Sequence, residues 1–86
     1  MKEIRWNLLK SERLKRTRGA SFEEIITCKL IDVKVHPTRD SQQIMPFEYR
    51  SYIWVVPFVE AYGHIFLKTM YPSRKYTKIY KKEKEK

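Results

Sequence analysis

Lys2 to Trp6 alternates polar and apolar side chains and then meets Asn7, a residue suited to cap a helix, so the pattern predicts a short strand followed by a helix. That helix is predicted over Leu8 to Arg18. Its apolar residues, mainly Leu8, Leu9 and Leu14, form one narrow stripe, while Lys10, Arg13, Lys15, Arg16 and Arg18 cover most of the remaining circumference. Gly19 supplies the left-handed residue that commonly ends a helix, and Ser21 with Glu24 three positions on is a capping-box signature for the next one. Phe22, Ile25, Ile26 and Leu30 fall near helical spacing, which predicts a short packed second helix ending near Cys28 to Leu30.

From Leu30 the period changes to two: Ile31, Val33 and Val35 alternate with Asp32, Lys34 and His36, the pattern of a strand with one wet face. Pro37 to Ser41 reads as a loop and Gln42 to Tyr49 as a second strand, in which Pro46 requires an edge or a bulge. Arg50 and Ser51 predict a tight turn. Tyr52 to Glu60 is a nearly continuous apolar run, as in a central strand, and Ala61 to His64 turns it into a further strand, Ile65 to Tyr71. Pro57 again demands a bulge or an unpaired side. After Pro72 and Ser73, the stretch from Arg74 onward reads as a short helix carrying Tyr76, Ile79 and Tyr80, with residues 81 to 86 as a frayed basic tail. The expected class is α+β: a short strand and two helices, a three- to four-stranded antiparallel sheet and a closing helix, with the helices on one face and the other face open.

Length and composition narrow this further. The 86 residues have room for one core and hence one domain, 1 to 86. The apolar fraction of 42% suffices to fold it. No apolar run approaches the roughly 20 residues that span a bilayer, and the first residues lack the apolar segment of an export signal, so a cytoplasmic protein without a membrane partner is expected. The single cysteine, Cys28, cannot close an intrachain disulfide and is read as a core residue.

Charge speaks to function. The formal net charge is +9, and its distribution is uneven: residues 1 to 18 carry seven basic and two acidic side chains, residues 19 to 73 carry five and six, and residues 74 to 86 carry seven and two. A near-neutral middle between two cationic ends suggests that the ends converge on one polyanionic partner, although terminal lysine runs also occur as solvated tails. The two glycines, Gly19 and Gly63, form no phosphate-cradling loop, and His36 and His64 have no ligand partner at a metal-type spacing. No cofactor and no metal is expected. RNA cleavage needs neither: a ribose 2′-hydroxyl must lose a proton, the phosphate must gain positive neighbours, and the leaving oxygen must be protonated. Arg, Lys, His and Tyr can do all three. The candidates are His36 and Arg39 at a strand end, Lys68 on the last strand, and Arg74, Lys75, Tyr76, Lys78 and Tyr80 at the closing helix, with Lys10 and Arg13 of the first helix as further RNA contacts. A plainer reading stands beside each: a surface role for His36 and Lys68, and packing against the sheet for Tyr76 and Tyr80. Trp54, Phe58 and Phe66 are read as core rather than stacking platforms.

Several blocks resemble the BrnT-like toxins of bacterial toxin–antitoxin modules, within the wider RelE-like group of small ribonucleases. They are Trp6-Asn7 with Lys10; Arg18-Gly19-Ala20-Ser21-Phe22-Glu23-Glu24-Ile25; His36-Pro37; Val55 to Glu60; Ile65 to Thr69; and Pro72-Ser73-Arg74-Lys75. Many members of that family place His before the glycine, where this chain has Arg18, and a small residue where it has Tyr76. The resemblance implies an α+β, RelE-like fold with a central antiparallel sheet, inhibition of translation by RNA cleavage, and neutralisation by an antitoxin, often one with a ribbon-helix-helix part through which DNA is reached. It supports Arg74 and Lys75 as site members. Taken together, the expectation is a metal-independent endoribonuclease toxin acting on messenger RNA, free or ribosome-associated. In it Arg74 would stabilise the phosphate, His36 or Lys68 would move protons, and Tyr80 would position a base or hydroxyl. The alternative is a non-catalytic RNA-binding or protein-interaction module using the same basic surface.

Overall fold

A computed structural model describes residues 3–35 and 42–84. The local signals at the amino end appear where the sequence places them. Strand β1 (Glu3–Arg5) leads to helix α1 (Leu8–Arg18), whose first turn is closed by the Asn7 side-chain oxygen accepting the Lys10 N–H at 3.0 Å. Gly19 ends it at φ 88°, donating its N–H to the Lys15 carbonyl. In α2 (Phe22–Ile25) the capping box is complete: the Ser21 hydroxyl accepts the Glu24 N–H and the Glu24 carboxylate accepts the Ser21 N–H at 3.1 Å. This helix stops earlier than its apolar spacing suggests. The Cys28 N–H reaches back to the Ile25 carbonyl in a tighter turn, and Lys29 and Leu30 are taken into the sheet as β2 (Lys29–Leu30), opposite Glu48 and Phe47.

Beyond it lie β3 (Lys34–Val35), β4 (Gln43–Tyr49), β5 (Tyr52–Ala61), β6 (His64–Leu67) and β7 (Tyr71–Pro72). The strand order is β1-β6-β5-β4-β2, with β3 also on β4 and β7 also on β5. Two-residue turns make both hairpins, with positive φ at Arg50 and Ser51 (51° and 63°) and at Tyr62 and Gly63 (52° and 78°). All pairings are antiparallel except that β1 lies parallel to β6, Ile4 opposite Ile65. An all-antiparallel sheet therefore does not hold at this edge: the chain leaves β1 through α1 and α2 and returns to that edge with β6 running the same way.

The expected single strand from Ile31 to Val35 is broken in two. Ile31 donates its N–H to the Pro46 carbonyl, whereas Lys34 already lies opposite Ile44, so Asp32 and Val33 share the place opposite Met45. The break sits beside the missing N–H of Pro46, which faces this neighbour. An equivalent break accompanies Pro57. Its carbonyl accepts the Lys68 N–H at 2.9 Å, Tyr71 lies opposite Val55, and Thr69 and Met70 share the place opposite Val56. Both prolines thus sit within the sheet at one-residue register breaks, as their chemistry requires.

On one face of the sheet Leu14, Phe22 and Ile25 of the helices meet Met45, Phe47, Trp54, Val56, Phe58 and Leu67. Each such buried side chain contributes about 1.5–3 kcal/mol. The opposite face is not open. Ile44, Ile53 and Val55 are at most 1% exposed there, beneath α3 (Arg74–Lys84). That helix starts at the β7 edge, where the Ile53 carbonyl accepts the Ser73 N–H and the Ile53 N–H donates to the Thr77 hydroxyl, both at 2.8 Å. It then crosses the sheet toward Lys34. The apolar run of β5 puts large side chains on both faces, and both need cover. The helix runs through residues 81 to 84.

Candidate nucleic-acid interface

The rotation of α3 is fixed by its start. The Ser73 hydroxyl accepts the Tyr76 N–H at 3.2 Å, the Ser73 carbonyl accepts the Thr77 N–H and hydroxyl, and Ser73 itself is buried. With Ser73 and Thr77 bound to the sheet, Tyr76 and Tyr80 fall one turn apart along the flank facing β3. Their rings stack, 6.1 Å between centroids and 19° between planes. The Lys34 ammonium lies over both rings, 5.8 Å from Tyr76 and 5.3 Å from Tyr80, and the Lys75 ammonium lies 5.8 Å from Tyr76. Tyr71, opposite Val55, lies on the same face.

Lys34 reaches this cluster because of the register break. An unbroken strand continuing from Leu30, which lies opposite the core residue Phe47, would turn residue 34 toward that core, and the extra residue at Asp32 and Val33 turns it to the α3 face. The Tyr80 phenol oxygen beside it holds the Lys34 ammonium above its ordinary pKa, so it stays cationic. The attraction is electrostatic: the Tyr80 hydroxyl is buried and has no hydrogen bond of good distance and angle among the described residues. Burial, and then Tyr76, push the Tyr71 phenol up.

The structure therefore brings Lys75, Tyr76 and Tyr80 together and adds Lys34 and Tyr71, two residues the sequence reading did not select. The signal for Lys34 was its place on the polar side of the alternating stretch; for Tyr71 there was none beyond its closeness to Pro72. Lys68 shares the face, in a row across the sheet with Pro57, Ile44 and Lys34. It stands three strand spacings from Lys34, roughly 14 Å, with its ammonium 5.9 Å from the Phe66 ring. Arg74 and Lys78 are exposed on α3. Lys10 and Arg13 are on α1, in the layer across the sheet, and do not join the cluster. His36 and Arg39 lie outside the described residues. Among the described residues no group of three His, Cys, Asp or Glu side chains could hold a metal ion, and no helix is long and apolar enough to cross a membrane.

Neither a family model nor a curated protein matches the chain. Among solved structures, the crystal structure of the Brucella abortus ribonuclease toxin BrnT is similar, with a TM-score of 0.55 and 18% identity over 85% of this chain and 97% of that one. This chain has the BrnT fold. The likeness takes in most of both chains.

Proposed function

We propose that this chain is a toxin of the ribonuclease type, which binds RNA on the α3 face, cleaves it without a metal ion and so blocks translation until an antitoxin neutralises it. The observation that carries the reading is the cluster of Lys34, Lys75, Tyr76 and Tyr80 on a BrnT fold: ammonium groups grip phosphate, and phenol rings accept bases by stacking. In this reading the 2′-hydroxyl attacks phosphorus and the bond to the 5′-oxygen breaks. A base takes the 2′ proton and an acid returns one to the leaving oxygen, giving a 2′,3′-cyclic phosphate and a 5′-hydroxyl. Arg74 stabilises the phosphate as charge builds, His36 or Lys68 moves the protons, and Tyr80 orients a base or hydroxyl. Inducing the Arg74→Ala variant tests the assignment: loss of growth arrest and of RNA breakdown is expected, and full toxicity would reject it.

A second reading, RNA binding without cleavage, is favoured by the makeup of the cluster, in which cations and phenols serve binding at neutral pH without any proton transfer. Incubating the purified protein with total RNA and EDTA separates the two. Fragments with cyclic-phosphate and 5′-hydroxyl ends belong to the enzyme, and intact bound RNA to the module.

A further inference from the structure

The two cationic segments lie in layers on opposite faces of the sheet, yet the end of one and the start of the other both lie beside β7. Arg18, the last residue of α1, donates from its guanidinium to the Met70 carbonyl, which the register break beside Pro57 leaves off the ladder, and Arg74 begins α3 just past β7. At this edge Arg18, Tyr49, Arg50, Tyr52, Trp54 and Pro72 line an open groove of about 350 Å³. Tyr49 lies opposite Tyr52 and Trp54 opposite Pro72, so all four point to the face that α1 and α2 cover elsewhere. Beside Gly19 the helical layer leaves part of their surface open. Trp54, 7% exposed, forms the floor and meets Tyr49 edge-on at 6.2 Å and 76°. The Tyr49 hydroxyl donates to Glu24 at 3.2 Å, which fixes that ring, and the Arg50 guanidinium stands 5.2 Å from its centroid.

We infer that this groove holds one nucleobase of a single-stranded RNA, with the flanking phosphates on Arg18 and Arg50. Aromatic walls beside two guanidinium groups match a stacked base between phosphates, and the space is at the small end of pockets that enclose a compact ligand. An acidic peptide would satisfy the arginines and leave the rings unused. The inference rests on the proposed function only in taking RNA as the ligand; it does not need cleavage.

The test uses the full chain with Trp6→Phe, which leaves Trp54 as the sole tryptophan, and 2′-O-methyl hexanucleotides, which have no nucleophilic hydroxyl. Saturable quenching of Trp54 is expected, with affinity about tenfold or more lower for both Tyr52→Ala and Arg50→Gly. Glycine takes φ 51° without strain, so a loss in Arg50→Gly does not come from misfolding. Affinities within threefold of the parent in both variants would overturn the inference, as would displacement of the oligonucleotide by polyglutamate at equal charge, which would mark an acidic-peptide site. If the wild-type chain leaves RNA uncut while these losses persist, the groove stands and the cleavage reading fails.

Discussion

Replacing Ser11 with alanine tests how α1 is joined to α2. Ser11 is 1% exposed; its hydroxyl accepts the Phe22 N–H at 3.0 Å and donates to the Glu23 carboxylate at 2.6 Å. The Phe22 N–H belongs to the first turn of α2 and has no partner within that helix. In Ser11→Ala it is left buried without its acceptor, which costs about 1–3 kcal/mol. Glu23 loses one charge-assisted bond, a smaller effect because water reaches that carboxylate and the Trp6 indole N–H still donates to it at 2.7 Å. The expected destabilisation is about 2 kcal/mol, and at roughly 4–8 °C per kcal/mol for a domain of this size the melting temperature should fall by about 8–16 °C. Urea unfolding followed by tryptophan fluorescence, with calorimetry for the melting temperature, measures both. Thr17→Ala is the control: its exposed hydroxyl donates only to the Arg13 carbonyl, and its change should stay within about 0.5 kcal/mol. A Ser11→Ala protein as stable as that control would refute the claim that this hydroxyl ties the two helices together.

Acid stability should depend on Glu24. Lys15 at 2.7 Å, followed by the Ser21 N–H, holds its carboxyl down to about 2 from 4.5. The lowered value means that its contribution is complete above pH 4.5 and disappears as the pH falls toward 2, so unfolding measured across that window should show a flatter acid limb in Glu24→Gln than in the wild type. Lys34→Met keeps the stem over the tyrosine rings and removes the charge; weaker RNA binding is expected, with the slope of log affinity against log salt reduced by roughly 0.7 if Lys34 makes one phosphate contact. An unchanged salt slope would place Lys34 outside the interface. Tyr80→Phe deletes the buried phenol oxygen that holds the Lys34 ammonium above its ordinary pKa, so stability by urea titration at neutral pH should fall slightly, whereas an abolition of RNA cleavage in a variant that stays folded would assign that hydroxyl to the reaction.

Much of the local structure was legible because its causes are local. Asn7, Gly19, the Ser21 and Glu24 pair and the Arg50-Ser51 turn each act within four residues, and each appears where the sequence puts it. The end of α2 was not legible, since Lys29 and Leu30 pair with Glu48 and Phe47, partners fixed only once the sheet exists. The position of α3 was half legible. Its tyrosines and cations are evident, but that it covers the second face follows from Ile44, Ile53 and Val55 sharing that face, and the alternation within the continuous run of β5 is hidden because both parities are apolar. For the same reason it was not legible that α1 and α3 lie across the sheet from one another, with the end of α1 held to Met70 beside β7 and the start of α3 just past that strand.

The two prolines explain why the candidate chemistry sits where it does. Each lies in a well-buried strand and takes a hydrogen bond from one neighbour with its carbonyl while offering that neighbour no N–H. A regular ladder cannot continue past such a residue, and in both places the neighbour inserts one extra residue. Beside Pro46 the insertion turns Lys34 from the core side to the α3 side, over Tyr76 and Tyr80. Beside Pro57 it frees the Met70 carbonyl to anchor Arg18 at the mouth of the aromatic groove. A β-branched residue at either site would restore the missing donor and favour an unbroken register. Lys34 would then return to the core side, or Arg18 would lose its anchor. The residues that look least suited to a sheet are thus the ones that place cations beside aromatic rings on both of its faces.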